Sequence, residues 1–315
     1  MIVRRSEERG QVFVLTVLCL FVMLGMSALV LDVGGWFRTD RKLQATADAA
    51  ALAGAQDLPN GVTAAKSAAL DYANRNGGHV LGSDIQVSSM FNPNDTIRVK
   101  ATKDDPGFFS RVLGIDTVNI NAHARARIDT PYSVRYVAPM VVSCNHGLIK
   151  NCNKNGRMPD FNVDTTLNFD KMGAPGAFGM LNLSKSSGTP GTSEEAAWIL
   201  RGYDANLDVN KDYRSDPGAK FSSQEIRSAL QSRVNNGVPL LFPVFEKDRS
   251  LTDGGGQVAR YYIIGWIAFH ITSFEIHGND ATLHGYFVEY IANGILSSSG
   301  SGSPNYGVRS IQLIE

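Results

Sequence analysis

Residues 12–31 form an uninterrupted apolar run, VFVLTVLCLFVMLGMSALVL, without a single charged side chain. Its only hydroxyls belong to Thr16 and Ser27. At 1.5 Å per helical residue, about 20 residues cross the ~30 Å hydrocarbon layer of a membrane. A core helix of a globular domain would carry a polar stripe over a run of this length, and none is present. The sequence therefore predicts a transmembrane helix, which we assign to residues 12–33.

A cleaved signal peptide is the main alternative interpretation of this run. Three arginines within residues 1–11 would form its basic region. However, the run is longer than the roughly 7–15 apolar residues of a signal peptide, and no small-residue cleavage site follows it directly. We therefore expect an uncleaved, single-pass anchor with a cytoplasmic N-terminus at residues 1–11. The positive-inside rule gives little guidance on the orientation, because three basic residues also lie on the other side of the run, within 38–42.

The cysteines favour a location outside the cytoplasm for the rest of the chain. Cys19 lies in the apolar run, which leaves Cys144 and Cys152 in the loop CNHGLIKNC. Two cysteines this close suit a local disulfide in an oxidising compartment, and two unrelated thiols are the alternative. No further Cys or His flanks them at zinc-finger spacing.

Charge and motifs argue against two classes of function. The 315 residues include 30 basic and 30 acidic side chains, so the net charge is zero and attracts no nucleic acid. The sequence contains no G-x-S-x-G, H-E-x-x-H or P-loop motif. We therefore expect neither a nucleic-acid partner nor an enzyme, and no catalytic or cofactor-binding residues.

One loop carries an oxygen-bearing side chain at every second position. These residues are Asp204, Asn206, Asp208, Asn210 and Asp212. The spacing copies the first five ligand positions of an EF-hand loop. Val209 replaces the glycine of that loop at its sixth position, and Ser215 replaces the glutamate at its twelfth. A weak calcium site and a strand with one polar face both fit this pattern, and the alternatives stay open.

The chain continues beyond the apolar run as a second helical segment, residues 34–57, in which alanine, the best helix former, predominates. Its apolar residues recur at steps of three and four and make one narrow face of mostly small side chains. This face consists of Leu43, Ala47, Ala50, Ala51 and Gly54. Alanine buries little area on an isolated helix, so the face requires a cover. Either a helix of another subunit or the chain's own globular domain can provide it.

The N-terminal segment combines RGQ at 9–11, DVG at 32–34 and LQATADAAALAGA at 43–55. This combination resembles TadG-like proteins of Flp (tight-adherence, type IVc) pilus assembly, in the TadE/TadG-like family. The resemblance implies an accessory or minor pilin-like component whose N-terminal helix contacts membrane lipid and other pilus-assembly subunits. Type IV pilins carry a glutamate five residues after the processing glycine, whereas Leu15 follows Gly10 at that distance here. We therefore expect the N-terminal stretch to be retained.

The rest of the chain divides into two regions. Residues 63–130 resemble the small α+β unit of that family. Residues 131–315 alternate strand-like runs with turns, and helices are predicted at 194–202 and from Ser222 to Asn235. The predicted strands of this region are 134–143, 238–246, 259–275, 281–293 and 308–314.

The predicted fold class is thus α+β. A long transmembrane helix extends into an extracytoplasmic mixed α/β region and then a β-rich domain. The expected location is the bacterial cell membrane. A membrane-tethered domain that binds envelope polymers or surfaces, unrelated to pili, is the alternative function.

Overall fold

The computed structural model describes residues 9–150, 152, 157–169, 177–184, 188–216, 220–250, 259–297 and 304–314. It confirms the α+β fold class, with a long apolar N-terminal helix followed by mixed and β-rich parts. The chain forms two compact units: unit 1 is Met1–Arg127 with Leu313–Glu315, and unit 2 is Ile128–Gln312. Residues 1–8 of the predicted cytoplasmic segment lie outside the described residues.

Unit 1 contains two helices and three strands. They are α1 (Arg9–Asp57), α2 (Val62–Arg75), β1 (Ile85–Ser88), β2 (Thr96–Pro106) and β3 (Thr117–Asp129). The segment LPN after α1 forms one 3₁₀ turn, and Gly61 adopts a φ of 110° before α2 begins. Only glycine adopts such a backbone readily, so α1 and α2 are separate helices. Strand β2 lies between β1 and β3 and pairs antiparallel with both.

Unit 2 contains the remaining elements. Its strands are β4 (Pro131–Val134), β5 (Met140–Ser143), β6 (Asp164–Phe169), β7 (Ala177–Met180), β8 (Leu207–Asp208), β9 (Lys211–Arg214), β10 (Leu240–Phe245), β11 (Arg260–His277), β12 (Asp280–Val288), β13 (Tyr290–Ile291), β14 (Gly294–Leu296) and β15 (Val308–Leu313), and its helices are α3 (Thr192–Arg201) and α4 (Gln224–Asn236).

The main sheet of unit 2 has seven strands in the order β10-β5-β7-β6-β12-β11-β9, and a further β10–β11 pairing closes the first six into a ring. Strand β11 is buried on both faces along its centre. Ile267 and Phe269 face one apolar core, whereas Trp266 and Ala268 face a second. The Trp266 indole N–H donates to the Pro131 carbonyl at 3.1 Å, which satisfies its polar group inside that core.

Three predicted boundaries in this region were wrong. The run 134–143 is not one strand, because Tyr136 has a φ of 63° and Pro139 follows, so β4 and β5 enter different sheets. The run 281–293 is likewise not one strand, because β12 ends at Val288. Helix α4 is capped one residue later than predicted, since the Ser223 hydroxyl accepts the Ile226 N–H at 3.3 Å.

Candidate membrane and assembly surface of the N-terminal helix

The first half of α1 exposes apolar side chains on all sides. Among the described residues, α1 is the one helix long and apolar enough to cross a membrane. Its most apolar window has a mean hydropathy of 2.7, and no part of that window is buried by the rest of the chain. Apolar surface of this extent is unstable in water, and a membrane or other apolar helices must cover it. By its length and apolar composition, the helix suggests a single-pass membrane anchor.

Both hydroxyls of the apolar run are satisfied within the helix itself. Thr16 Oγ1 donates to the Val12 carbonyl, and Ser27 Oγ donates to the Met23 carbonyl, each at 2.8 Å. An unpaired hydroxyl in hydrocarbon would cost several kcal/mol. The run is thus compatible with lipid along its whole length.

Asp32 marks the end of the apolar run, and its side chain is buried. Its carboxylate accepts the backbone N–H groups of Phe108, Phe109 and Ser110, at 2.9, 2.9 and 2.6 Å. These donors belong to the loop between β2 and β3. Three backbone donors compensate a buried carboxylate, and hydrogen bonds to a charged group are strong. We call this contact the Asp32 clamp.

Replacing Asp32 with alanine is expected to release that loop. Hydrogen bonds to a charged acceptor are stronger than neutral ones, so the amides of residues 108–110 should exchange with deuterium at least ~10-fold faster without it. Hydrogen exchange on the full chain in lipid nanodiscs measures this. Asp40→Ala, on the same helix, is the control and should leave these amides unchanged. Equal exchange in both variants would contradict the clamp.

Beyond Asp32, polar side chains tie α1 to its own unit. Thr39 Oγ1 donates to Asp105 Oδ2 at 2.6 Å, which lowers the pKa of Asp105, and the Lys103 ammonium at 3.1 Å adds to this effect. Gln44 Nε2 donates to the His123 carbonyl at 3.1 Å. The second half of α1 is therefore an integral element of unit 1 rather than a free rod.

The predicted packing face of α1 is covered by the chain's own unit. Leu43, Ala47, Ala50, Ala51 and Gly54 are all buried. A Cβ atom at Gly54 would lie 2.6 Å from Ile97 Cδ1 and 3.0 Å from both the Ala65 carbonyl oxygen and the Ala69 Cβ. Helix α2 presents its own buried alanines to this face, so the two helices approach closely. Of the two possible covers, the chain's own domain takes this face, and it offers no open surface to another subunit.

The residues of the calcium prediction lie on strands β8 and β9 and in the segments before and between them, and the two strands belong to different sheets. They are Asp204, Asn206, Asp208, Asn210 and Asp212. Asp208 pairs with Lys211 at 2.5 Å, Asp204 pairs with Arg135 at 2.8 Å, and Asn210 forms the turn with a φ of 59°. Across the part of the chain that the structure describes, no three Asp, Glu, His or Cys side chains cluster as metal ligands. Asp208 and Asp212 lie on strands, whereas Asp204, Asn206 and Asn210 lie in the connecting segments, and the calcium site stays a prediction.

The predicted disulfide joins Cys144 and Cys152. Cys144 directly follows β5, and its N–H donates to the Phe245 carbonyl at 3.0 Å. The Cys152 N–H donates to the Cys144 carbonyl at 2.8 Å, so a backbone hydrogen bond closes the same loop as the disulfide. Both sulfurs belong to the apolar core of unit 2. The crosslink therefore connects a surface loop to the ring of strands.

Removal of this disulfide is expected to destabilise unit 2. Replacing both cysteines with serine should lower the free energy of unfolding by about 2–3 kcal/mol, because the unfolded chain loses a small-ring constraint. Urea unfolding without reductant measures the effect, and Cys19→Ser in the apolar helix is the control. If the double variant and the control unfold at the same urea concentration, the disulfide does not form in the protein.

Sequence reasoning missed the Asp32 clamp, although one signal was present. A charged residue stood at the end of a long apolar run, where an unpaired carboxylate is costly. Its partners lie 76–78 residues away, so no local pattern identifies them.

The helix described above coincides with a known family pattern. Residues 10–57 match the family model described as putative Flp pilus-assembly TadE/G-like. Searches of curated proteins and of solved structures give no significant match. The match covers α1 almost completely and none of the strands. Residues 10–57 of this chain are therefore similar to the putative Flp pilus-assembly TadE/G-like family, the family that the sequence motifs resemble.

Proposed function

We propose that the chain is a membrane-anchored accessory, minor pilin-like component of an Flp (tight-adherence) pilus. One observation carries this proposal. The segment that matches the pilus-assembly family is a single helix whose first half is apolar and exposed, and whose second half is built into a globular unit. Such a helix anchors a folded unit at a membrane and leaves its apolar half accessible to similar helices. The proposed role is structural and not enzymatic.

The apolar half of α1 is the proposed contact surface for other subunits. Because the face around Gly54 is covered internally, contacts through the helix have to use residues 12–31. At Gly25, a Cβ atom would meet no other atom within 4 Å, so a second helix could approach closely there. Membrane lipid covers the remainder of this surface.

The proposed topology has residues 1–11 in the cytoplasm and both units outside it. The disulfide between Cys144 and Cys152 supports this orientation, because such bonds persist in oxidising compartments. A reporter enzyme that is active only outside the cytoplasm, fused after residue 60, should therefore be active. Activity only of a cytoplasmic reporter at the same position would reverse the topology.

Photo-crosslinking in cells tests the assembly role. A photoreactive phenylalanine analogue replaces Phe21, which is exposed on the apolar half, or Tyr72, which is exposed on α2. We expect the analogue at position 21 to crosslink to identified pilus-assembly subunits, and the analogue at position 72 to give no such product. Deletion of the chain should also reduce the number of surface pili. Normal pili without the chain would favour the membrane-tethered binding domain instead.

A further inference from the structure

Three large apolar side chains are exposed on the loop between β2 and β3. Phe108 is 81% exposed, Ile115 is 46% exposed and Phe109 is 38% exposed. The two phenylalanine rings form an edge-to-face pair with centroids 5.0 Å apart. Single exposed apolar residues are common on proteins, but a cluster of this size on one loop marks a contact surface.

The Asp32 clamp fixes the position of this loop along α1. Residues 12–31 span about 30 Å as a helix, so Asp32 lies at the edge of the hydrocarbon layer. The carboxylate of Asp32 holds the amides of residues 108–110, so the loop lies at the same edge. Phe109 also lines a groove of about 540 Å³ together with Leu24 and Ala28 of the apolar run. The loop therefore reaches from the edge toward the membrane interior.

The surroundings of the loop have the composition of a membrane–water interface. Trp36 lies beside it, since a Cβ atom at Gly107 would be 3.2 Å from Trp36 Cζ2. Arg111 on the loop and Arg38 on the helix are both exposed. Tryptophan is enriched at the level of lipid headgroups, and arginine side chains reach the phosphate groups there.

From these contacts we propose that residues 107–116 form a second membrane contact, which inserts Phe108, Phe109 and Ile115 into the adjoining lipid leaflet. Lipid is the occupant because the exposed loop is continuous with a helix surface that the bilayer already has to cover. The exposed Arg111 on the loop itself complements the phosphates. The contact holds unit 1 against the membrane at two points, the helix and the loop. This inference rests on the proposed membrane anchoring of α1 but not on the role in pilus assembly.

Spin labels on the full chain test this contact. In a Cys19→Ser background, a nitroxide is attached at Phe108→Cys or at Ile115→Cys, and the chain is reconstituted in phosphatidylcholine–phosphatidylglycerol nanodiscs. The matched control is Met90→Cys, an exposed apolar residue near the opposite end of β2, about 30 Å from the loop by strand rise. Collision rates with oxygen, which partitions into lipid, and with a water-soluble nickel chelate are then measured.

We expect the labels at 108 and 115 to collide frequently with oxygen and at least ~5-fold less with the nickel chelate than the label at 90. Frequent collisions with the nickel chelate at all three sites would overturn the proposal, because the loop would then be in water. Low collision rates with both reagents at 108 and 115 would also overturn it, since another protein surface and not lipid would cover the loop.

Discussion

Replacing Gly54 with leucine is expected to destabilise unit 1 by about 3 kcal/mol, near the upper end of the usual range for overpacking. The new Cβ would lie 2.6 Å from Ile97 Cδ1 and 3.0 Å from the Ala65 carbonyl oxygen and the Ala69 Cβ. The end of the Ile97 side chain can move, whereas the Ala65 carbonyl and the Ala69 Cβ are fixed by helix α2. The leucine can therefore be accommodated only if α1 and α2 separate.

Hydrogen exchange of the α2 amides on the full chain in nanodiscs measures this loss. Ala45→Leu is the matched control, because Ala45 is exposed on the same stretch of α1 and should tolerate leucine. The result also separates the two possible covers of this face. Unchanged α2 protection together with a loss of pilus assembly would mean that Gly54 contacts another subunit and not α2.

The stability of unit 2 is expected to fall as the pH rises from about 5 to 8, because of one buried carboxyl group. Glu195 on α3 is fully buried. Burial, and secondly its hydrogen bond to the carboxyl group of Asp216, raises the pKa of Glu195 to about 8. Lys220 opposes this shift only partly, with its Nζ 3.3 Å from Glu195 Oε1.

The sign of the effect follows from proton binding. In the unfolded chain Glu195 ionises near its ordinary pKa of 4.5, whereas in the folded chain it keeps its proton up to about pH 8. Between these values the folded state binds more protons, so its stability is complete below pH 4.5 and decreases as the pH rises. The steepest loss is about 1.4 kcal/mol per pH unit, and the total is at most about 4–5 kcal/mol.

Glu195→Gln isolates this contribution, since glutamine can still donate a hydrogen bond to Asp216 but does not ionise. Tryptophan fluorescence reports the unfolding of unit 2, because Trp198 and Trp266 are both buried in it. Between pH 5 and 8, the denaturant midpoint of this variant should lose most of its pH dependence. Glu194→Gln, its exposed neighbour, should behave like the unmodified chain. If the Glu195 variant keeps the full pH dependence, the buried carboxyl is not its source.

The sequence predicted the elements of unit 1 far better than their partners. Residues 12–31 and the alanine-rich stretch after Leu43 carry strong local signals of length, hydropathy and periodicity. Periodicity identified the face around Ala47 and Ala51 but not its cover. An alanine surface looks the same whether its complement belongs to the same chain or to another.

In unit 2 the missing information was tertiary. The ring of strands depends on the pairing of β10 with the next strand, β11, and on the parallel contact of β10 with β5, which joins distant segments. The polar alternation at 204–212 fitted a strand with one polar face and a calcium-binding loop equally well. The ion pairs of Asp204 and Asp208 use their carboxylates within the fold. A periodic pattern alone does not reveal such partners.

The continuity of α1 has a mechanical consequence. Because the helix runs from Arg9 to Asp57 without a break, no slack separates the membrane from the core of unit 1. A force applied to unit 1 is therefore transmitted directly to residues 12–31 through the continuous helix. Any rotation of unit 1 about the helix axis turns the apolar side chains of residues 12–31 through the same angle. The rotational position of unit 1 about the helix axis therefore determines which side of residues 12–31 faces a neighbouring helix.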